Sequence, residues 1–181
     1  TKKVGEIEEI VGVAYDYIDH TENSHTSEFT ITPVNNVNGS TGADTVTGNK
    51  HANTIHTGAG DDTITATDGM DILDGGEGND TLIYNADSYA TINLSTGRAY
   101  SPEFDHDTLI NLENVTTTKG NNIMIGNHDA NTLNAGSGDD IIDARGGHDI
   151  VTGGAGEDIF YLRGEDIINT SIDKDNLKNS I

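Results

Sequence analysis

The chain has 181 residues, 31 of them acidic against 9 basic, and a formal net charge of −22, which argues against nucleic acid and anionic membranes as partners and favours cations. Hydrophobic residues make up 33% and aromatic residues 5%, with no Trp and no Cys, so a conventional thick core, a disulfide framework and a thiolate metal site are all excluded. No apolar run approaches the ~20 residues of a membrane span, no signal peptide is visible, and a chain opening at Thr1 reads as a fragment.

Residues 1–38 carry no repeat and read as a flanking or capping segment, or as the tail of a neighbouring domain. Within them, 4–18 suits short strands through its Val, Ile and Tyr content and Gly12, with an amphipathic helix as the other reading. The polar stretch 19–28 reads as a loop, and 29–32 (FTIT) as a strand closed by Pro33.

From Gly39 a nine-residue period takes over. Its cleanest copy, GGEGNDTLI at 75–83, has glycine at positions one, two and four, an acid at six and an aliphatic at eight, the pattern GGxGxDxUx. Five copies fill 39–83 and five more fill 117–161. The sixth position reads Asp44, Asn53, Asp62, Asp71, Asp80, then Asn122, Asn131, Asp140, Asp149, Asp158. The eighth reads Val46, Ile55, Ile64, Leu73, Leu82, then Met124, Leu133, Ile142, Val151, Phe160. Both second copies contain ANT and both third copies GDD, so the blocks read as a parallel duplication.

Between the blocks, 84–116 offers strand-like stretches at 90–94 and 107–115 and a Ser95–Thr96–Gly97 turn; its DTLI at 107–110 repeats that of 80–83. It is expected to continue the same stack without the glycine turns, the other reading being a linker between two independent rolls, which its apolar alternation disfavours. In the flank 162–181, one more strand is expected at 167–173, with fraying beyond.

The spacing has a chemical reading. Closely set glycines allow a tight turn whose successive carbonyls can point inward, and a carboxylate at position six adds hard anionic oxygen. Calcium takes 6–8 oxygens in irregular geometry, whereas magnesium demands a tight octahedron and zinc prefers Cys or clustered His. After each turn come three residues with only the middle one inward, a very short strand. Two copies make an 18-residue coil, so turns on one edge come from alternate copies and an ion would lie between turns 18 residues apart. Ten inward apolar side chains form a slim core, and the acids repel one another without cations. The chain is therefore expected to be largely disordered without calcium and to fold at millimolar calcium.

The repeats resemble the calcium-binding (hemolysin-type) region of RTX proteins, bacterial proteins exported by type I secretion. The strict pattern covers 90 residues, and the insert is similar to those of serralysin-like and adhesin members. The resemblance implies an all-β fold, a parallel β-roll of 18-residue coils with a non-repeat β insert. It also implies a ligand set of carbonyls and an Asp from each of two stacked turns. On this chain one site would use Ser40, Gly42 and Asp44 with Thr57, Ala59 and Asp62. A second would use Gly58, Gly60 and Asp62 with Gly75, Glu77 and Asp80. In the second block Gly136, Gly138 and Asp140 would pair with Gly153, Ala155 and Asp158. A fourth set, Thr118, Gly120 and Asn122 with Ala135, Ser137 and Asp140, departs from the pattern at Asn122. On the opposite edge Asn49, His51 and Asn53 would face Ala66, Asp68 and Asp71, and Asn127, Asp129 and Asn131 would face Ala144, Gly146 and Asp149; these have lost a charge and are expected to be weak, hydrated or empty.

Other residues read more plainly. Asp61 and Asp139 are expected to face solvent, Asp105, Asp107 and Glu113 to be ordinary strand-end carboxylates, and Thr63 and Thr65 to serve β-propensity. The seven histidines show no HExxH spacing, and GxSxG and P-loop motifs are missing, so no enzyme is expected. The resemblance implies a secreted or cell-surface protein whose partners are calcium ions and the type I secretion machinery, with a surface or glycan ligand as a further partner. Two other roles stay open: an adhesion or glycan-binding module, and the non-catalytic part of an exported enzyme or toxin.

Overall fold

The computed structural model describes residues 18–19, 27–30, 36–163, 166–169 and 176–179, and they form strands and turns only. In chain order the first strands are β1 (Ile18–Asp19), β2 (Ser27–Thr30), β3 (Asn36–Ser40), β4 (Asp44–Thr47), β5 (Thr54–Ala59), β6 (Thr63–Thr65), β7 (Ile72–Glu77) and β8 (Thr81–Ile83). The insert supplies β9 (Thr91–Asn93), β10 (Arg98–Ser101), β11 (Asp105–Ile110) and β12 (Asn114–Thr116). The rest are β13 (Ile123–Ile125), β14 (Thr132–Asn134), β15 (Ile141–Asp143), β16 (Ile150–Thr152), β17 (Ile159–Leu162), β18 (Ile167–Asn169) and β19 (Asn176–Asn179).

The strands wind into a parallel β-solenoid with two facing sheets. The larger runs β1-β3-β5-β7-β11-β10-β9-β13-β15-β17-β19, the smaller β18-β16-β14-β12-β8-β6-β4-β2. Equivalent residues 18 apart are paired, as Val46 with Ile64 and Ile64 with Leu82, or Met124 with Ile142 and Ile142 with Phe160. All ten eighth-position side chains are buried, one row under each sheet. Their flanking residues point outward, the period-two pattern of a sheet with one face covered. The 18-residue coil and its slim core are thus as the nonapeptide predicts.

The insert departs from expectation. It does continue the stack, but 107–115 is not one stretch: β11 lies in the larger sheet and β12 in the smaller, separated by a corner at Asn111 with φ 47°. Between β9 and β11 comes β10, which the sequence reading did not contain. It runs antiparallel to both neighbours, with Arg98 opposite Asn93 and Thr108. Gly97, at φ 63°, makes the hairpin corner. The larger sheet therefore has three strands where the smaller has only β12, an excess of roughly 9–10 Å at the usual strand spacing. Fully buried Tyr84, packed edge-on against Phe104 at 5.1 Å, lies in this region with buried Ala86 and Ala90.

The hairpin also changes which copy faces which sheet. The strand of the first copy of block one, β4, is in the smaller sheet, while that of the first copy of block two, β13, is in the larger. Corresponding members of the two blocks thus lie on opposite sides of the roll.

At the ends, the strand expected at 29–32 is present as β2, which starts at Ser27 inside the expected loop; Asp19, also in that loop, belongs to β1. The rest of 4–18 lies outside the described residues. Of 167–173, Ile167–Asn169 form β18 and the remainder lies outside the described residues.

Candidate metal centre

Each turn between the sheets closes on the sixth residue of a copy, just before the next strand. On the edge leading into the smaller sheet the sequence is Asp44, Asp62, Asp80, Glu113, Asn131, Asp149, Asp166. On the edge leading into the larger sheet it includes Asn53, Asp71, Asp107, and, beyond the hairpin, Asn122, Asp140, Asp158.

These side chains form files along the roll. Along much of each file, Oδ1 accepts the backbone N–H of the counterpart one coil earlier: Asp62 from Asp44 at 2.7 Å, Asp80 from Asp62 at 2.8 Å, Asp158 from Asp140 at 2.9 Å. Both edges also carry Asn-containing pairs: Asp71 takes the N–H of Asn53 and Asp149 that of Asn131, both at 2.8 Å, while Asn53 and Asn131 turn their own Oδ1 to the N–H of Asn49 and Asn127 in the same turn. The three sets expected to be strongest, and the sets departing at Asn53, Asn122 and Asn131, are all brought into stacked turns by these bonds.

In several of these carboxylates one oxygen is used, by the file or, for Asp44, by the Ser40 N–H at 2.7 Å, and the second is left over. Asp44 Oδ1 and the Oδ2 atoms of Asp62, Asp71, Asp80, Asp140 and Asp149 are buried and accept no hydrogen bond from the protein. A buried carboxylate oxygen without a partner is costly. Burial pushes Asp71 and Asp140 up to about 7 and Asp80 and Asp149 up to about 6, and it raises Asp62; the donated N–H bonds act in the opposite direction, and neighbouring carboxylates add to the rise. A cation repays this cost, since its charge reverses the penalty on the ionised form.

The glycine turns fit the same group. Gly58, Gly60, Gly76, Gly78, Gly136, Gly138, Gly154 and Gly156 all have positive φ, from 90° to 146°. Stacked turns approach so closely that a Cβ on Gly78 would fall on the carbonyl oxygen of Gly60, and one on Gly154 on that of Gly136. The Glu77 and Ala155 carbonyls, both in the expected ligand sets, each accept an N–H at 2.8 Å, from Gly60 and Gly138, and keep a second lone pair. Among the described residues no three His, Cys, Asp or Glu side chains converge on one point. The donor set here is instead two carboxylates and backbone oxygens, hard ligands of the kind calcium takes.

The Asn-containing turns are built differently. Asn49 Oδ1 accepts the N–H of His51 at 2.9 Å, and Asn127 Oδ1 accepts the N–H of Asp129 at 2.8 Å and the side-chain amide of Asn131 at 3.1 Å. His51, Asp68 and Asp129, all in these sets, are exposed. Arg145, at φ 72°, stands at the second position, where four other copies carry Gly58, Gly76, Gly136 and Gly154.

Three acids belong to the files and were not foreseen. Asp107 and Glu113, read from sequence as ordinary strand-end carboxylates, take sixth-position places: Asp107 Oδ1 accepts the N–H of Asp71 and Glu113 Oε2 that of Asp80, both at 2.8 Å. The longer Glu side chain reaches the file from a turn that lacks glycine. Asp107 is also bonded by the Tyr84 hydroxyl at 2.9 Å. Asp166 continues one file beyond Asp149 at 3.3 Å. The repeated DTLI signalled Asp107; nothing comparable marked Glu113. Asp61 and Asp139 are exposed, as expected, and cap outer N–H groups of Asn79 and Glu157 at 3.0 and 2.9 Å.

Residues 34–64, 47–82, 113–142, 125–160 and 147–177 match a protein-family model described as the RTX calcium-binding nonapeptide repeat (4 copies), which together spans more than half of the chain. No curated protein matches the chain.

Proposed function

We propose, from the premise that this chain belongs to the RTX family of calcium-binding nonapeptide repeats, that it is a calcium-driven folding module of an exported protein. The family binds calcium, is typical of secreted bacterial proteins, and uses its repeat region structurally. The observation that carries the further step is the set of buried carboxylates at Asp44, Asp62, Asp71, Asp80, Asp140 and Asp149, each with an oxygen that accepts no hydrogen bond from the protein.

Three positions fit the ion best: between the turns ending at Asp44 and Asp62, between those ending at Asp62 and Asp80, and between those ending at Asp140 and Asp158. In each, two carboxylates lie one coil apart and are joined by a bond from the backbone N–H of the earlier one to Oδ1 of the later, and backbone carbonyls of the two glycine-containing turns would supply the remaining oxygens. Calcium, when bound, supplies the positive charge that makes ionised carboxylates tolerable in these buried turns. At ten times its dissociation constant each ion adds about 1.4 kcal/mol. Without it, the slim core must order the chain against mutual repulsion of the acids.

Such a chain stays unfolded where calcium is scarce and passes a narrow export channel. It folds where calcium is millimolar, which hinders backsliding and supports folding of neighbouring domains. Circular dichroism during a calcium titration tests this: β-structure should grow with calcium, and a β-rich spectrum in excess chelator would sink the proposal.

A second role, adhesion to a neutral glycan, is favoured by one surface feature. Tyr100 packs against His106 at 4.6 Å and lies 6.4 Å from Tyr89, which is exposed, so the hairpin presents an aromatic cluster on the outer face of the larger sheet. Glycan-array binding in calcium that is lost on Tyr100→Ala supports this role; an array without hits removes it.

A further inference from the structure

We infer that the turn pair of Thr118, Gly120 and Asn122 over Ala135, Ser137 and Asp140 takes no calcium, because the Asn122 side-chain amide already serves its inward-facing oxygens. The inference rests on the calcium reading above and limits it to fewer positions than the register allows.

Asn122 is buried. Its Oδ1 accepts the N–H of Ala90 at 2.9 Å, which holds the file across the hairpin. Its Nδ2 lies 2.9 Å from the Gly120 carbonyl oxygen, 3.1 Å from Thr117 Oγ1, 3.2 Å from the Ala135 carbonyl oxygen and 3.3 Å from the Lys119 carbonyl oxygen. Gly120 and Ala135 supply two of the carbonyls that the repeat pattern assigns to the ion. The orientation of the amide is fixed by its partners: turned over, Nδ2 would meet the Ala90 N–H and Oδ1 would meet carbonyl oxygens.

An amide nitrogen carries two donors and a partial positive charge, so it satisfies oxygens that elsewhere in the roll await a cation. The contrast with Asp62 is direct, since the Oδ2 of Asp62 has no such partner. The neutral, internally bonded turn then lets the start of block two form on the hairpin without metal, and Asp140 serves one ion only, the one it shares with Asp158.

Calcium bound per folded chain, counted by equilibrium dialysis, tests this with two variants. Asn122→Asp replaces the donor by an acceptor and should raise the count by about one ion. Asn122→Ala removes the amide without creating a ligand and should not lower the count. An unchanged count for Asn122→Asp, or a count reduced by one for Asn122→Ala, overturns the inference. If the unaltered chain bound no calcium, the calcium reading would fail and the amide's placement would still be decided by NMR. Slow solvent exchange of the Asn122 side-chain NH₂ protons, in the folded protein, supports the bonds described; fast exchange overturns them.

Discussion

Asp62 donates its backbone N–H to Oδ1 of Asp80 at 2.8 Å, while its own Oδ1 takes the N–H of Asp44 at 2.7 Å. Asp62 thus belongs to two successive turn pairs at once. Asp62→Ala should remove about two bound ions and Asp80→Ala about one, by equilibrium dialysis. Equal losses would argue against stacked sharing along this file.

The close approach of turns gives a graded test of glycine positions. Gly154, at φ 109°, would place a Cβ on the Gly136 carbonyl oxygen, so Gly154→Ala should cost roughly 3 kcal/mol or more of stability in calcium. At Gly146 the nearest atom to a Cβ is His128 Nδ1 at 3.2 Å, on an exposed side chain that can yield. Gly146→Ala should cost less than about 1 kcal/mol. Thermal unfolding in excess calcium separates the two; similar costs would contradict the stacked geometry.

Without metal, acid should favour the fold. Asp71 and Asp140 titrate at about 7 in the folded chain, and Asp80, Asp107 and Asp149 at about 6, against an ordinary 3.8, chiefly because burial penalises their charged forms. Between those values the folded chain holds more protons than the unfolded one, so stability falls as pH rises through that window. In chelator, β-structure by circular dichroism should be greater at about pH 5 than at about pH 8. Calcium, needing the ionised carboxylates, should bind more tightly as pH rises over the same range. Metal-free β-content that increased with pH would contradict the burial of these groups.

Tyr84→Phe isolates the hairpin from the metal positions. It deletes the 2.9 Å bond to Asp107 and leaves a buried carboxylate oxygen bare, at a cost of about 1–3 kcal/mol, while keeping the packing on Phe104. The calcium count should not change. A lost ion would place Asp107 among the ligands.

The repeat makes most of the roll legible, because a nine-residue period fixes at once the coil length, the inward residue and the turn. Asp44, Asp62 and Val46 could hardly stand elsewhere once the period is seen. The hairpin follows no such period. Its middle strand, 98–101, reads Arg-Ala-Tyr-Ser, and only Gly97 announces the reversal; that β9 pairs with β13 and β11 with β7 is a long-range choice. Glu113 was hidden because it does an aspartate's work from a turn of different shape. Asn122 reads as a weakened ligand until Ala90, 32 residues away, is seen to claim its oxygen.

The hairpin's effect on sheet parity reaches the outer surface of the loaded molecule. Two of the three best calcium positions lie on the edge that leads into the smaller sheet, and the third lies on the opposite edge in the other half of the roll. Bound ions would therefore sit at diagonally opposed corners and would not draw one continuous stripe. A flat anionic surface laid along either edge can reach two ions or one, never all three.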